Sequence, residues 1–154
     1  MTNHLTGLKA GGKAPDFSGK DQEGKLISLK DFKGKKLVLY FYPKDDTPGC
    51  TIEACNLRDN YFLLKKSGYK IVGVSADNEA KHKKFIEKHQ LPFPLIADVD
   101  HTIIKAYDVW GRKKFMGKEY DGIARTTFVI NEKGIVDKVI SDVKTKEHTA
   151  QIIE

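Results

Sequence analysis

The chain has 154 residues, the length of one domain of ordinary size. At 40% hydrophobic and 31% charged residues it can build a core, which excludes disorder as its main state. No apolar run approaches the roughly 20 residues that span a bilayer. Residues 1–8 lack the apolar stretch and cleavage site of a secretory leader, so a cytoplasmic location is expected. The net charge of +6 invites a nucleic-acid partner. The lysines argue against it: Lys33, Lys35, Lys36, Lys65, Lys66, Lys81, Lys83 and Lys84 are interleaved with acids such as Asp31, Glu79 and Glu87. They read as solvated faces, so neither a nucleic-acid nor a membrane partner is expected. No repeat, low-complexity block or linker interrupts residues 1–154, which are expected to form a single domain.

In chain order, residues 15–34 predict a hairpin and a turn, with Asp21-Gln22-Glu23-Gly24 at the bend and Leu26 and Leu29 alternating around Ile27. Residues 37–42, a continuous apolar and aromatic run stopped by Pro43, predict a central strand buried on both faces. Residues 51–66 carry Ile52, Cys55, Leu57, Tyr61, Phe62 and Leu64 at helical spacing. Residues 69–76 predict a second buried strand, and residues 79–89 a helix with Asp77 or Asn78 as its cap. Residues 101–108 and 145–153 read as further helices. Residues 126–130 and 135–140 read as strands joined by the tight turn Asn131-Glu132-Lys133-Gly134. Alternating strands and helices with a terminal hairpin predict an α/β class and a thioredoxin-like fold: a central mixed sheet flanked by helices, with an N-terminal hairpin extension.

Chemistry concentrates where the first long strand meets the following helix, in Pro43-Lys44-Asp45-Asp46-Thr47-Pro48-Gly49-Cys50. A thiol in the first turn of a helix faces unpaired backbone N–H groups and the positive end of the helix dipole, and both favour thiolate over thiol. Thr47, three residues earlier, places a hydroxyl within reach of the sulfur, and Pro43 shapes the loop and shields it. Free cysteines are often plain core fillers. A cysteine after Pro-Gly at a strand-to-helix junction is badly placed for that role, whereas Cys55, between Ala54 and Leu57, suits it better. A zinc site would need further ligands at compact spacing, and the five histidines are scattered singly. A dithiol oxidoreductase would want two residues between its cysteines, and here four intervene.

The spacing Pro43, Thr47, Cys50 resembles the active-site pattern of the peroxiredoxins. Residues 50–59, with Cys55 five positions on, resemble the Q-type or bacterioferritin comigratory branch. The similarity extends through residues 12–17, 34–43, 74–77, 93–98 and 122–128, nearly the whole chain. It implies a thioredoxin-dependent thiol peroxidase that reduces hydrogen peroxide and organic hydroperoxides. Cys50 would become a sulfenic acid, Cys55 would resolve it as an intramolecular disulfide, and thioredoxin or a similar dithiol would recycle both. Arg125 matches the family's active-site arginine, whose fixed charge would steady the thiolate and the peroxide. Glu53 matches a position near the site, though an acid in a first helical turn also simply complements the dipole. Trp110 is expected to pack and to rim the pocket. No metal, haem or flavin is implied, and a resolving cysteine in the same chain points to a monomer. The alternative reading is a redox-inactive thioredoxin-fold binding or chaperone module.

Helix geometry adds one expectation. Two residues five apart in an α-helix have Cα atoms about 8–9 Å apart, whereas a disulfide tolerates at most about 7 Å. Oxidation must therefore unwind residues 50–56, with Pro48-Gly49 as the expected hinge.

Overall fold

The computed structural model describes residues 4–154; the part of the leader reading that falls on residues 1–3 lies outside them. Among the described residues no helix is long and apolar enough to cross a membrane. The predicted N-terminal hairpin forms from β1 (Ser18–Lys20) and β2 (Leu26–Ser28), paired antiparallel. Its bend is set by Asp21, whose Oδ1 accepts the Glu23 and Lys25 amides, and by Gly24 at φ 78°. In β2 the inward residue is Ile27, while Leu26 stands 58% exposed.

The central sheet is built from β3 (Lys36–Phe41), β4 (Tyr69–Ser75), β5 (Leu95–Ala97), β8 (Thr126–Ile130) and β9 (Val136–Ile140). Between β5 and β8 runs a separate antiparallel ribbon, β6 (Trp110–Phe115) and β7 (Lys118–Ile123). The sheet order is β5-β4-β3-β8-β9, with β3, β4 and β5 mutually parallel, β8 antiparallel to β3, and β9 antiparallel to β8. This is the mixed, thioredoxin-like sheet that the sequence predicts.

Alternation along β3 divides the core. Leu37, Leu39 and Phe41 face a layer with Val72, Val74, Phe128 and Tyr107. Val38, Tyr40 and Tyr42 face the opposite layer, with Cys50, Ala54, Leu57, Phe85 and Ile152. Both sides of β3 are dry, as its unbroken apolar run requires. The helices are α1 (Pro48–Asp59), α2 (Tyr61–Lys66), α3 (Glu79–His89), α4 (Thr102–Ala106) and α5 (His148–Ile153). α1, α2, α3 and α5 supply the layer that contains Cys50, and α4 supplies the other.

Three expectations change. The single helix over 51–66 is two, broken at Asn60, whose φ of −107° and ψ of 14° leave the helical region. The helix over 101–108 shortens to Thr102–Ala106, and the last one begins at His148 after a 3-10 turn at Thr145–Glu147. The cap at Asn78 is as expected, its side chain accepting the Lys81 amide.

Candidate active site

Pro48 occupies the first helical position of α1, where its missing N–H is harmless and its φ is already helical. Thr47, extended at φ −90° and ψ 156°, is the N-cap residue, and its carbonyl accepts the Thr51 amide at 2.8 Å. These two residues fix where the helix starts, and so they put Cys50 in its first turn. The Pro48-Gly49 pair thus lies inside α1 and not ahead of it as a hinge. Gly49 has a packing reason instead: a Cβ there would meet Arg125 Nη2 at 3.1 Å.

Arg125, just before β8, crosses to α1. Its Nη2 donates to Cys50 Sγ at 3.2 Å and its Nη1 donates to Glu53 Oε1 at 2.6 Å. One planar guanidinium thus touches both the sulfur and a buried carboxylate, a geometry that lysine cannot copy. Cys50 is buried, only 1% exposed, whereas the Arg125 side chain is 22% exposed and opens to solvent. Burial pushes the Glu53 carboxyl up to about 7, against the opposing pull of the Arg125 charge. Glu53 Oε2 has no hydrogen-bond partner; it lies 3.4 Å from His148 Nε2, which in turn meets Thr127 Oγ1 at 2.8 Å. Burial and the Arg125 charge hold His148 below its ordinary range, so it is disposed to stay neutral.

Pro43, Arg125, Lys113 and Thr126, with His4 and Leu5, line a pocket of about 230 Å³, and it is Arg125 that links this lining to the sulfur. Desolvation, helped by the Arg125 charge, pulls the Lys113 amine down, and its Nζ donates to the Ile123 carbonyl at 2.7 Å. A larger concavity of about 410 Å³ lies at the other end of β3, around Phe32 and Leu37, and holds none of the candidate residues.

Cys50, Arg125, Glu53 and Pro43 therefore come together. Thr47 joins them by position, but its hydroxyl turns back and donates to the Lys44 carbonyl at 2.8 Å. Trp110 stands apart from that pocket lining: it opens β6, and its ring stacks on His101 at 4.4 Å. Cys55, free like Cys50, lies on α1 beside α3, with Sγ 3.9 Å from His89 Nδ1. Sequence reasoning missed His148, Lys113 and His89, none of which sits in a local motif.

The histidines are not all isolated, either. His82 Nδ1 meets Asp45 Oδ2 at 2.6 Å, and with Asp77 the three ligand atoms lie within 4.8 Å of one another. Each is engaged by the protein itself: Tyr42 O–H donates to Asp45, Ser75 O–H to Asp77, and His82 Nε2 to the Ile96 carbonyl. This buried cluster anchors the loop between β3 and α1.

A buried cysteine in the first turn of a helix, under an arginine and on a thioredoxin-like sheet, is the arrangement of a thiol-redox enzyme. The model of the AhpC/TSA family matches residues 10–139. Peroxiredoxin Bcp of Escherichia coli K12 is 49% identical over 141 residues, covering 92% of this chain and 90% of that protein. Peroxiredoxin Bcp of Bacillus subtilis is 48% identical over 147 residues, covering 96% and 94%. Among solved structures, peroxiredoxin Q of Xanthomonas campestris superposes with a TM-score of 0.85 at 34% identity, covering 96% of this chain and 94% of that one. The chain belongs to the AhpC/TSA family and, within it, to the Bcp/PrxQ peroxiredoxins, which are thiol peroxidases.

Proposed function

We propose that this peroxidase acts on hydrogen peroxide and organic hydroperoxides through Cys50, with Cys55 resolving the product as an intramolecular disulfide and thioredoxin or a similar dithiol restoring both thiols. The observation that carries this reading is Arg125 Nη2 at 3.2 Å from Cys50 Sγ in the first turn of α1. Work on the X. campestris bacterioferritin comigratory protein describes alkyl peroxide reduction and a trapped intermediate, and that protein is 34% identical to this chain.

The chemistry follows from thiols. The Cys50 thiolate attacks one peroxide oxygen in line with the O–O bond, and the departing oxygen leaves as water or an alcohol. Negative charge moves from sulfur to that oxygen, and the Arg125 guanidinium, already on the sulfur, is placed to follow it. Glu53 keeps the guanidinium aimed, and Pro43 walls the pocket. The Thr47 hydroxyl, at the N-cap, rotates from the Lys44 carbonyl toward the peroxide when substrate enters. Cys50 is left as a sulfenic acid, the first step of cysteine oxidation. Cys55, on the same helix, condenses with it and releases water.

Residues 1–154 act as a single domain in the cytoplasm, and the resolving cysteine in the same chain as Cys50 favours a monomer. No cofactor and no nucleic-acid or membrane partner enters the cycle. Peroxide consumption with thioredoxin as reductant, followed with mass spectrometry under non-reducing conditions, tests the scheme. Cys50→Ser should abolish turnover. Cys55→Ser should still consume one equivalent of peroxide and stop at the sulfenic acid. Full turnover by Cys55→Ser with thioredoxin would remove the intramolecular disulfide from the cycle.

A further inference from the structure

The cysteines are five positions apart, and at about 100° per residue they point to different sides of α1. Cys50 faces the sheet and Arg125. Cys55 faces the C-terminal end of α3, where His89 is the last helical residue. His89 Nδ1 lies 3.9 Å from Cys55 Sγ, and His89 Nε2 lies 3.3 Å from Asp46 Oδ1. A thiol, an imidazole and a carboxylate in that order form a chain of the kind that activates cysteine nucleophiles.

We propose that His89 is the general base for Cys55 in the resolving step and that Asp46 is its positioning residue. The proposal rests on the reading of Cys55 as the resolving cysteine. The Asp46 carboxylate accepts from Nε2–H, which fixes the tautomer and leaves Nδ1 as a lone-pair acceptor facing the thiol. Asp46 is itself held in place: it sits in the left-handed region at φ 59°, a conformation that aspartate tolerates better than most residues. Its carboxylate also takes Lys88 Nζ at 2.8 Å. Those contacts with Lys88 and His89 hold Asp46 below the usual carboxylate range, so it is ionised whenever His89 works. The His89 ring packs edge-on to Phe85 at 5.3 Å, and Arg58 Nη1 donates to the His89 carbonyl at 2.8 Å, so the ring is gripped on several sides. It is 19% exposed, dry enough to be held and open enough to exchange a proton.

The step balances as follows. His89 Nδ1 takes the proton from the Cys55 thiol while α1 is still closed, which leaves a thiolate beside an imidazolium that faces Asp46. α1 then opens, and the Cys55 sulfur attacks the sulfur of the Cys50 sulfenic acid. The S–S bond forms with the thiolate electron pair and the S–O bond breaks. Hydroxide departs and becomes water with one proton, restored to the balance when His89 gives its own to solvent. Cys55 is oxidised, the Cys50 sulfur is reduced from sulfenic acid to disulfide, and the oxidant is the peroxide already consumed.

An ordinary thiol is only about 3% thiolate at pH 7, so a base that ionises it fully can speed attack by at most about 30-fold. Lower basicity makes the thiolate a poorer nucleophile and trims that gain toward tenfold. The charged and titratable groups around His89 are Cys55 and Arg58 from α1, Asp46 from the loop, and Lys88 from α3.

The test uses the full chain, a rapid pulse of hydrogen peroxide, and trapping of sulfenic acid and disulfide at timed intervals between about pH 6 and 9. His89→Gln should slow conversion of sulfenic acid to disulfide about tenfold at pH 7. The deficit should shrink to less than threefold near pH 9, where a thiol ionises unaided. Imidazole added to His89→Ala should restore part of the rate at pH 7, which a structural role for His89 would not allow. Asp46→Asn should give a smaller deficit, about threefold, with the same dependence on pH. A His89→Gln deficit that is absent, or equal at pH 7 and pH 9, overturns the proposal. If instead the unaltered protein forms only disulfides between chains, the reading of Cys55 itself fails, and that result is distinguishable from the first.

Discussion

Cys50 and Cys55 share one helix, yet their surroundings differ in kind. Cys50 is buried at the helix N-terminus under Arg125, a cation that does not titrate in any working range. Cys55 is half-buried in the second turn, beside His89, an imidazole that can accept a proton as well as donate one. In the proposed cycle the first must keep a negative charge and then hand it to a peroxide oxygen, which calls for permanent positive charge. In the same scheme the second must shed a proton once per cycle, which calls for an exchangeable one. Position on the helix sorts the two roles: the sheet-facing side receives the arginine that precedes β8, and the α3-facing side receives the histidine.

The largest expected effect falls on the permanent charge. Arg125→Met keeps an unbranched apolar stem but removes both contacts, to Cys50 Sγ and to Glu53 Oε1. The rate of Cys50 oxidation by hydrogen peroxide should fall about 100-fold, the scale of one lost donor to a developing oxyanion. Alkylation of Cys50 by iodoacetamide should slow as well. A fall of less than threefold, in protein with unaltered circular dichroism, would show that the guanidinium does not follow the reacting oxygens.

Glu53 sharpens the comparison, because it is a titrating group placed on the permanent charge. Its carboxyl is raised from 4.5 to about 7, chiefly by burial. The folded state therefore holds this proton more tightly than the unfolded chain does, and stability falls as pH rises from about 4.5 to 7. Above that window the penalty is fully present; below it, both states are protonated and there is none. Glu53→Gln should raise the thermal midpoint at pH 8 and leave it nearly unchanged at pH 4.5. Peroxidase activity at pH 8 should drop about tenfold, since a neutral amide holds Arg125 less firmly than a carboxylate does. Equal shifts of the midpoint at both pH values would show that Glu53 is not the titrating group.

The motif around Cys50 was legible in the sequence because its parts are neighbours: Pro43, Thr47 and Cys50 are tied by one strand end and one helix start. The strands at 37–42, 69–76, 126–130 and 135–140 were legible for a related reason, since burial on both faces leaves continuous apolar runs. What was missed depends on distant pairing. The β6–β7 ribbon reads as a charged stretch, Trp110-Gly111-Arg112-Lys113-Lys114, and its turn uses Met116 and Gly117 at φ 51° and 81° in place of the familiar Asn-Gly. β5 is three residues long and exists because β4 offers it an edge. His148 lies 95 residues beyond Glu53, and His89 lies 34 beyond Cys55, so no spacing within a single element announces either pair.

The smallest expected effect concerns the opening that the proposed disulfide needs. Both lie in the intact α1, where Cα atoms five residues apart are too far for a disulfide. For that disulfide to form the helix must open through Cys55, and the next residue, Asn56, is bolted to the C-terminal segment. Its Nδ2 donates to the Lys146 carbonyl at 2.8 Å, and its Oδ1 accepts from Thr149 N at 2.9 Å and Thr149 Oγ1 at 2.8 Å. That bolt marks where unwinding stops. Asn56→Ala should lower stability by about 1–2 kcal/mol, since hydrogen bonds of this kind contribute about 1 kcal/mol each. Because α1 then opens more readily, the sulfenic acid should convert to disulfide two- to threefold faster, and amides 51–59 should exchange faster while those of β3 do not. Opening and loss of the Cys55 proton are separate pre-equilibria, so their contributions multiply. In the double variant Asn56→Ala, His89→Gln, the gain from the first should persist on top of the loss from the second, within about 0.5 kcal/mol of additivity. If the Asn56→Ala gain vanishes whenever His89 is absent, proton removal and helix opening are one event and not two.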